Sequence, residues 1–242
     1  QRTLEKAYKI AKKNGICLAS VSNVDHYAAA GIHGYNFLEK RKLNNLSIMS
    51  FTNADSLATS TYPKKRFFGT NPISYVLRRS QGKYIYIDMS TTQITFNKVK
   101  NIRKANSYLS NNLARDKFGK ITKYPSKVFS LEPIGGYKGF VLGLLVELMT
   151  SGITGSNVSN QILPMYGEDQ KSFRKISQCF ILFNFDILKT NGFDNIYKQM
   201  EKNLPKKYFK LIPGNKEKDM LKYRKKNGIP IDNEYLKIIK SL

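Results

Sequence analysis

Acidic residues are scarce in this chain: 17 Asp and Glu stand against 41 Lys and Arg, a formal net charge of +24 over 242 residues. Such an excess first points to a polyanionic partner, nucleic acid or an anionic membrane. The lysines, however, run from Lys6 to Lys240, alternate with asparagine and sit mostly on positions that read as solvent faces. Charge dispersed in this way marks a lysine- and asparagine-biased composition, so no specific nucleic-acid partner is expected. Long hydrophobic runs are missing too. The longest, Phe140 to Met149, is broken by Glu147 and is too short to span a bilayer, so no membrane partner is expected either. Cysteine is reduced to Cys17 and Cys179, far apart and in apolar strand-like runs, which predicts buried free thiols in a reducing compartment. His26 and His33 are the two histidines, and neither has a carboxylate at ligand spacing, so no metal site is expected. No G-x-G-x-x-G follows the first strand, which excludes the ordinary Rossmann phosphate turn, and no G-x-S-x-G offers a serine nucleophile.

What remains is a globular composition, 41% hydrophobic and 12% aromatic, sufficient for a full core. Arg2 to Lys13 places Leu4, Ala7, Tyr8 and Ala11 on one helical face, and Asn14-Gly15 is its stop signal. ICLASVSN reads as a short buried strand delivering His26 at its end. A second helix is predicted from the small residues Ala28 to Gly31 to about Lys42, then a strand, LSIMSFTN, ending in Asn53. An irregular loop, Asp55 to Phe68, leads to the turn Gly69-Thr70-Asn71-Pro72, and KYIYIDM has the β-branched and aromatic content of a strand. Asn101 to Lys127 reads as a surface excursion. Tyr137 to Thr150 is apolar nearly all round and is predicted to be a core helix. QCFILFNFD reads as a buried strand, followed by an amphipathic helix near Phe193 to Asn203, a short strand FKLIPG, a basic helix Lys216 to Lys226 stopped by Gly228, and a last helix capped by Asp232. Strands and helices alternate, so the class is α/β, without an internal repeat. The expected organisation is a single core over residues 1–242, its tail from about residue 205 packing back on it. The chain opens at Gln1 directly in a helical pattern with no targeting segment, and is expected to be a cytoplasmic, soluble piece of something longer.

Few residues offer chemistry. His26 follows a strand between Asn23 and the small run Ala28-Ala29-Ala30-Gly31, with the titration range to give a proton to an alkoxide or take one from a hydroxyl. A structural hydrogen-bonder is the alternative, and His33, inside a helix, is the weaker candidate. Gly135-Gly136-Tyr137-Lys138-Gly139 combines close backbone approach, a helix N-terminus and a full positive charge, a pattern that holds phosphate or else merely starts a helix. Asp88 ends a hydrophobic strand, where its carboxylate either caps the next turn or accepts hydrogen bonds from a ligand.

The ordered blocks VSNVDHYAAAG, FFGTNP, YIYIDMSTT and GGYKGFVLGLLVEL, followed by MYGED, FNFD, IPG and RKKNGIPID, resemble the type 2 malate/L-lactate dehydrogenase family. That family includes ureidoglycolate, sulfolactate and diketogulonate enzymes. The resemblance implies a non-Rossmann α/β fold that binds NAD or NADP, a homodimer, and hydride exchange between nicotinamide and a small 2-hydroxy or 2-keto acid. It implies His26 as general acid/base, and Asp88, Met89, Ser90, Lys138, Gly214, Asn215 and Lys216 as cofactor contacts. Departures stand at Ala28 and Asn97, where the family has glycine, and at Asn215, where it has glutamate. The helical N-terminal segment that in the family grips the substrate carboxylate is expected to be missing. A rival expectation is a member that has lost catalysis and survives as a basic binding or structural protein.

Overall fold

A computed structural model describes the chain except residues 27, 60–64, 80–81, 166–172, 189–192, 206–207, 209–214, 232 and 241–242. Helix α1, Arg2–Asn14, buries Leu4, Ala7 and Ala11, the face set by the helical repeat. It ends where Gly15 turns left-handed at φ 86° and its N–H donates to the Ala11 carbonyl. Strand β1, Ile16–Val24, follows. Helix α2 spans Ile32–Arg41, beginning later than the run of small residues predicts, because Ala28 has φ 66°. The remaining large strands are β2, Leu46–Thr52, β3, Ile73–Arg78, and β4, Tyr84–Met89, with a last one at Ile176–Asn184.

Numbered in chain order, the short pair Ala114–Arg115 and Ser130–Leu131 forms β5 and β6, and Ile176–Asn184 is β7. The main sheet has the order β1-β7-β2-β3-β4, and all four pairings are antiparallel. Helices and strands mix as the sequence predicts, but the rule that puts ligands beyond the carboxyl ends of a parallel sheet does not apply. Side chains alternate across the strands. Phe180, Leu182 and Ile48 face α1 and α2, with Leu4, Phe37 and Leu38, in the larger core. Phe51, Cys179, Met49 and Ile181 point the other way, towards Val146 and Met149. Both cysteines are buried and free.

Three expectations are corrected. Strand β1 is not buried: it is an edge strand whose Ile16 and Leu18 are 48% and 47% exposed, while Cys17 between them is covered. The predicted core helix, α4, Tyr137–Glu147, buries only Gly139, Gly143, Val146 and Glu147. Its apolar residues Val141, Leu144, Leu145 and Leu148 lie open to solvent, because the helix meets the sheet along one stripe. The stretch Asn101–Lys127 is more than a surface excursion. Helix α3, Phe96–Lys104, capped by Thr95, and β5 contribute Val99 and Ala114 to a second cluster that also holds Leu57, Leu109 and Leu131. The predicted strand FKLIPG lies mostly outside the described residues, as does the cap Asp232. Helices do form at Phe193–Asn203, Asn215–Asn227 and Asn233–Lys240.

A buried polar network fastens the second face. Asn53 donates through Nδ2 to Ser151 Oγ at 2.7 Å and to the Asn157 carbonyl at 3.0 Å, and its Oδ1 accepts the Ser177 N–H at 2.8 Å. Asn71 accepts the Ala54 N–H at 3.2 Å and donates to the Gly143 carbonyl at 3.1 Å and to Glu147 Oε1 at 2.9 Å. Stripping Asn53 to alanine leaves the Ser177 N–H unsatisfied in the interior. Asn53→Ala is therefore expected to cost about 2–4 kcal/mol, read as a lower urea midpoint at unchanged m. A loss below about 0.5 kcal/mol, the level of an ordinary surface substitution, would show that the network carries no stability.

Candidate active site

A cleft of about 880 Å³ opens where the β4 edge faces the loop 26–32 and the loop 52–57. Its volume lies within the range of small-molecule and cofactor sites. His26 lines it, as do Asp55, Asp88, Met89 and Ser90. The sequence places these residues on separate elements. The antiparallel sheet and the buried network bring them to one wall.

His26 follows β1 and is exposed to the cleft. The Ala28 N–H donates to its Nδ1 at 3.2 Å, and its own N–H donates to Asp25 Oδ1 at 2.9 Å. With Nδ1 accepting, the neutral ring carries its proton on Nε2. The protein behind the ring desolvates it, and with the positive charge of Arg174 this holds the imidazole below its ordinary titration range. Asp55 and Asp25 pull in the opposite direction. Arg174 is itself anchored by Asp25, Nε to Oδ1 at 3.7 Å. His33 sits in α2, outside the cleft lining.

Asp88 accepts the Gly31 N–H at 2.7 Å and the Tyr86 hydroxyl at 3.1 Å, both on Oδ2. The carboxylate thereby ties the end of β4 to the loop that leads into α2, a structural use that leaves it on the cleft wall. Ser90 Oγ donates to the Thr92 carbonyl at 2.8 Å, and Met89 is 41% exposed. Lys138 is not brought to this wall; it is exposed at the start of α4 and does not line the cleft. Gly214 lies outside the described residues, and Asn215 and Lys216 open the helix Asn215–Asn227 without described side chains. From that same helix Lys222 and Lys225 reach the cleft lining, where they supply positive charge.

The sequence analysis missed Asp55, Lys222 and Lys225. A polar run, Asn53-Ala54-Asp55, directly after a hydrophobic strand was the available signal for the first. No local pattern distinguishes Lys222 and Lys225 from the many surface lysines.

The profile of the malate/L-lactate dehydrogenase family matches residues 1–240, and the chain belongs to that family. Among individual relatives, it is 31% identical over 162 residues to the (2R)-3-sulfolactate dehydrogenase (NADP(+)) of Chromohalobacter salexigens, covering 66% of this chain and 47% of that one. It is 25% identical to the ureidoglycolate dehydrogenase (NAD(+)) of Escherichia coli O157:H7, over 75% of this chain and 50% of the relative. The chain thus spans about half the length of these two relatives. The fold is that of the solved sulfolactate dehydrogenase of Methanocaldococcus jannaschii, with a TM-score of 0.80, 24% identity and coverage of 96% of this chain and 67% of the other. The malate dehydrogenase of Entamoeba histolytica gives a TM-score of 0.82 at 21% identity, over 99% of this chain and 71% of that one. No helix among the described residues is long and apolar enough to cross a membrane.

The glycines of the α4 start divide by role. A Cβ on Gly139 would lie 2.4 Å from the Ile134 N and O, whereas one on Gly136 would meet nothing within 4 Å, although φ there is 65°. Gly139 is thus required by the protein's own backbone, not by the approach of a ligand. Gly139→Ala is expected to destabilise by about 3 kcal/mol or more, through overpacking against backbone. Gly136→Ala should cost no more than about 1–2 kcal/mol, the strain of a left-handed alanine. Thermal unfolding of the two variants checks the order, and equal losses would remove the distinction.

Proposed function

We propose that this chain is the cofactor-binding and catalytic core of an NAD(P)-dependent dehydrogenase that exchanges a hydride between nicotinamide and a small 2-hydroxy acid or its 2-keto partner. The observation that carries the reading is a single cleft holding a proton-transferring group, His26, beside Asp88, Met89 and Ser90, the β4 end that the family pattern assigns to the dinucleotide. The dimensions and largely apolar walls of the cleft fit a dinucleotide, and Lys222 and Lys225 supply charge that phosphates require. Lys138, Gly214, Asn215 and Lys216 enter the proposal as phosphate contacts on the family pattern. A bound nicotinamide supplies the two-electron hydride chemistry, and the protein's share is the proton. His26 Nε2 bears hydrogen in the neutral tautomer fixed by Ala28, so it is the nitrogen that addresses the substrate oxygen.

The same reading takes residues 1–242 as one core with the tail from about residue 205 packed on it, in the cytoplasm, where Cys17 and Cys179 stay reduced. It also includes a homodimer, supported by the exposed apolar ridge Val141, Leu144, Leu145 and Leu148, spaced along one side of α4 and its continuation.

Either NADH or NADPH is expected to raise the melting temperature, since a ligand that binds only the folded state stabilises it by mass action. Absence of any melting shift or calorimetric heat at millimolar cofactor sinks the reading.

His26→Asn is expected to keep cofactor affinity while turnover falls roughly 10²- to 10⁴-fold, the contribution of a general acid/base. Undiminished turnover in that variant would transfer the role away from His26.

A further inference from the structure

Three carboxylates line the cleft, and they are served very differently. Glu39 holds Lys42, Arg78 and the Tyr84 hydroxyl, and Asp88 holds the Gly31 N–H and the Tyr86 hydroxyl. Asp55, only 8% exposed, is held by backbone alone: the Met165 N–H at 3.2 Å and the N–H of its own residue. Two arginines lie within its field, yet both are used elsewhere. Arg66 donates to the Phe129 carbonyl at 2.6 Å and stacks on that ring at 4.2 Å, and Arg174 turns to Asp25. Burial pushes the Asp55 carboxyl above the usual range, while the two N–H groups, Arg174 and His26 pull it back. Asp55 and His26 therefore sit in the same cleft, each in the other's field, with Arg174 and Asp25 on the His26 side and Arg66 and Arg174 on the Asp55 side.

His26 needs such a partner. Protonating Nδ1 would set its new N–H against the Ala28 N–H, two donors head to head, and burial and Arg174 oppose the imidazolium as well. Without help the ring stays neutral, and a neutral imidazole that gives up its Nε2 hydrogen is left as a costly anion.

We propose that Asp55 is the positioning carboxylate of His26, so that the two groups hold one proton between them and deliver it to the substrate oxygen through His26 Nε2. The proposal rests on the dehydrogenase reading. In keto-acid reduction the C2 carbonyl carbon receives the hydride of the reduced nicotinamide, the C=O π pair moves onto oxygen, and that oxygen takes the proton from the pair. The keto acid is reduced, the nicotinamide is oxidised, and neutral His26 is left beside the Asp55 carboxylate; oxidation of the hydroxy acid runs the same transfer backwards. Imidazolium is the form that donates, so reduction is lost as pH rises through the His26 midpoint. Removing the Asp55 charge lowers that midpoint and moves the alkaline limb to lower pH.

The chain has two histidines, so NMR titration of the imidazole signals reads His26 directly, with His33→Asn assigning the pair. In Asp55→Asn the His26 midpoint is expected to fall while that of His33 stays in place, and Asp55→Glu should restore it towards the parent value. Turnover in keto-acid reduction is expected to drop roughly 10- to 100-fold with cofactor affinity unchanged, a split between rate and binding. In the unmodified protein the Asp55 ¹³Cγ signal should titrate in two steps, one coinciding with His26. An unmoved His26 midpoint in folded Asp55→Asn, or a single-step Asp55 titration, overturns the proposal. Failure of dinucleotide binding in calorimetry sinks the dehydrogenase reading instead, and the coupling measured by NMR stands apart from it.

Discussion

The cleft depends on a knot of buried amides and one buried glutamate behind it. Asn53 and Asn71, 1% and 0% exposed, lie at the end of β2 and in the turn before β3, and between them they hold the π-helical end of α4, the loop at Asn157 and the first residues of β7. Ser159 joins them, donating to Glu147 and accepting the Gly69 N–H at 3.0 Å. In a low-dielectric interior a fully engaged amide is rigid, because every alternative geometry strands a donor or acceptor. The residues that this knot fixes, Thr52 to Asp55 and Thr70 to Pro72, are cleft wall. Glu147 Oε2 is the exception: it has no partner among the described residues, and it sits where α4 gives way to a π-helical turn.

Charge in the cleft is arranged against the character of the whole chain. The molecule carries +24, yet the carboxylates on this wall are Glu39, Asp55 and Asp88, with cations contributed by Lys222 and Lys225. Two of the carboxylates are satisfied by ion pairs or hydroxyls, which makes them structural. The third has only backbone donors, and only such a group retains freedom to share a proton. The family membership brings a histidine and a β4 end into this frame, and the frame itself says which acid stands beside the histidine.

Several elements were legible from sequence because their signals are local. The face Leu4, Ala7, Ala11 and the stop at Gly15 set α1, and the alternation in Ile176–Asn184 sets β7. The order of motifs sufficed for the family. Misreadings came where burial depends on a distant partner. The apolar α4 was taken for a core helix because composition does not say how many neighbours a helix meets. The polar stretch around Leu109 and Ala114 was taken for surface because its core partner, Leu131, belongs to another element.

The sequence by itself determined the helical and strand periods, the scarcity of catalytic side chains that singled out His26, and the family pattern that pointed to Asp88, Met89 and Ser90. Only the tertiary structure decided which of these share a wall: it brought Asp55 and the helix bearing Lys222 to His26 and left Lys138 outside. The physical reason is range. Backbone propensity and hydrophobic period act over a few residues, whereas the contacts that build this cleft join Asp88 to Gly31, Asp55 to Met165 and Asn53 to Ser177, across 57, 110 and 124 positions. Such approaches follow from packing two faces of one antiparallel sheet and satisfying every polar group trapped between them.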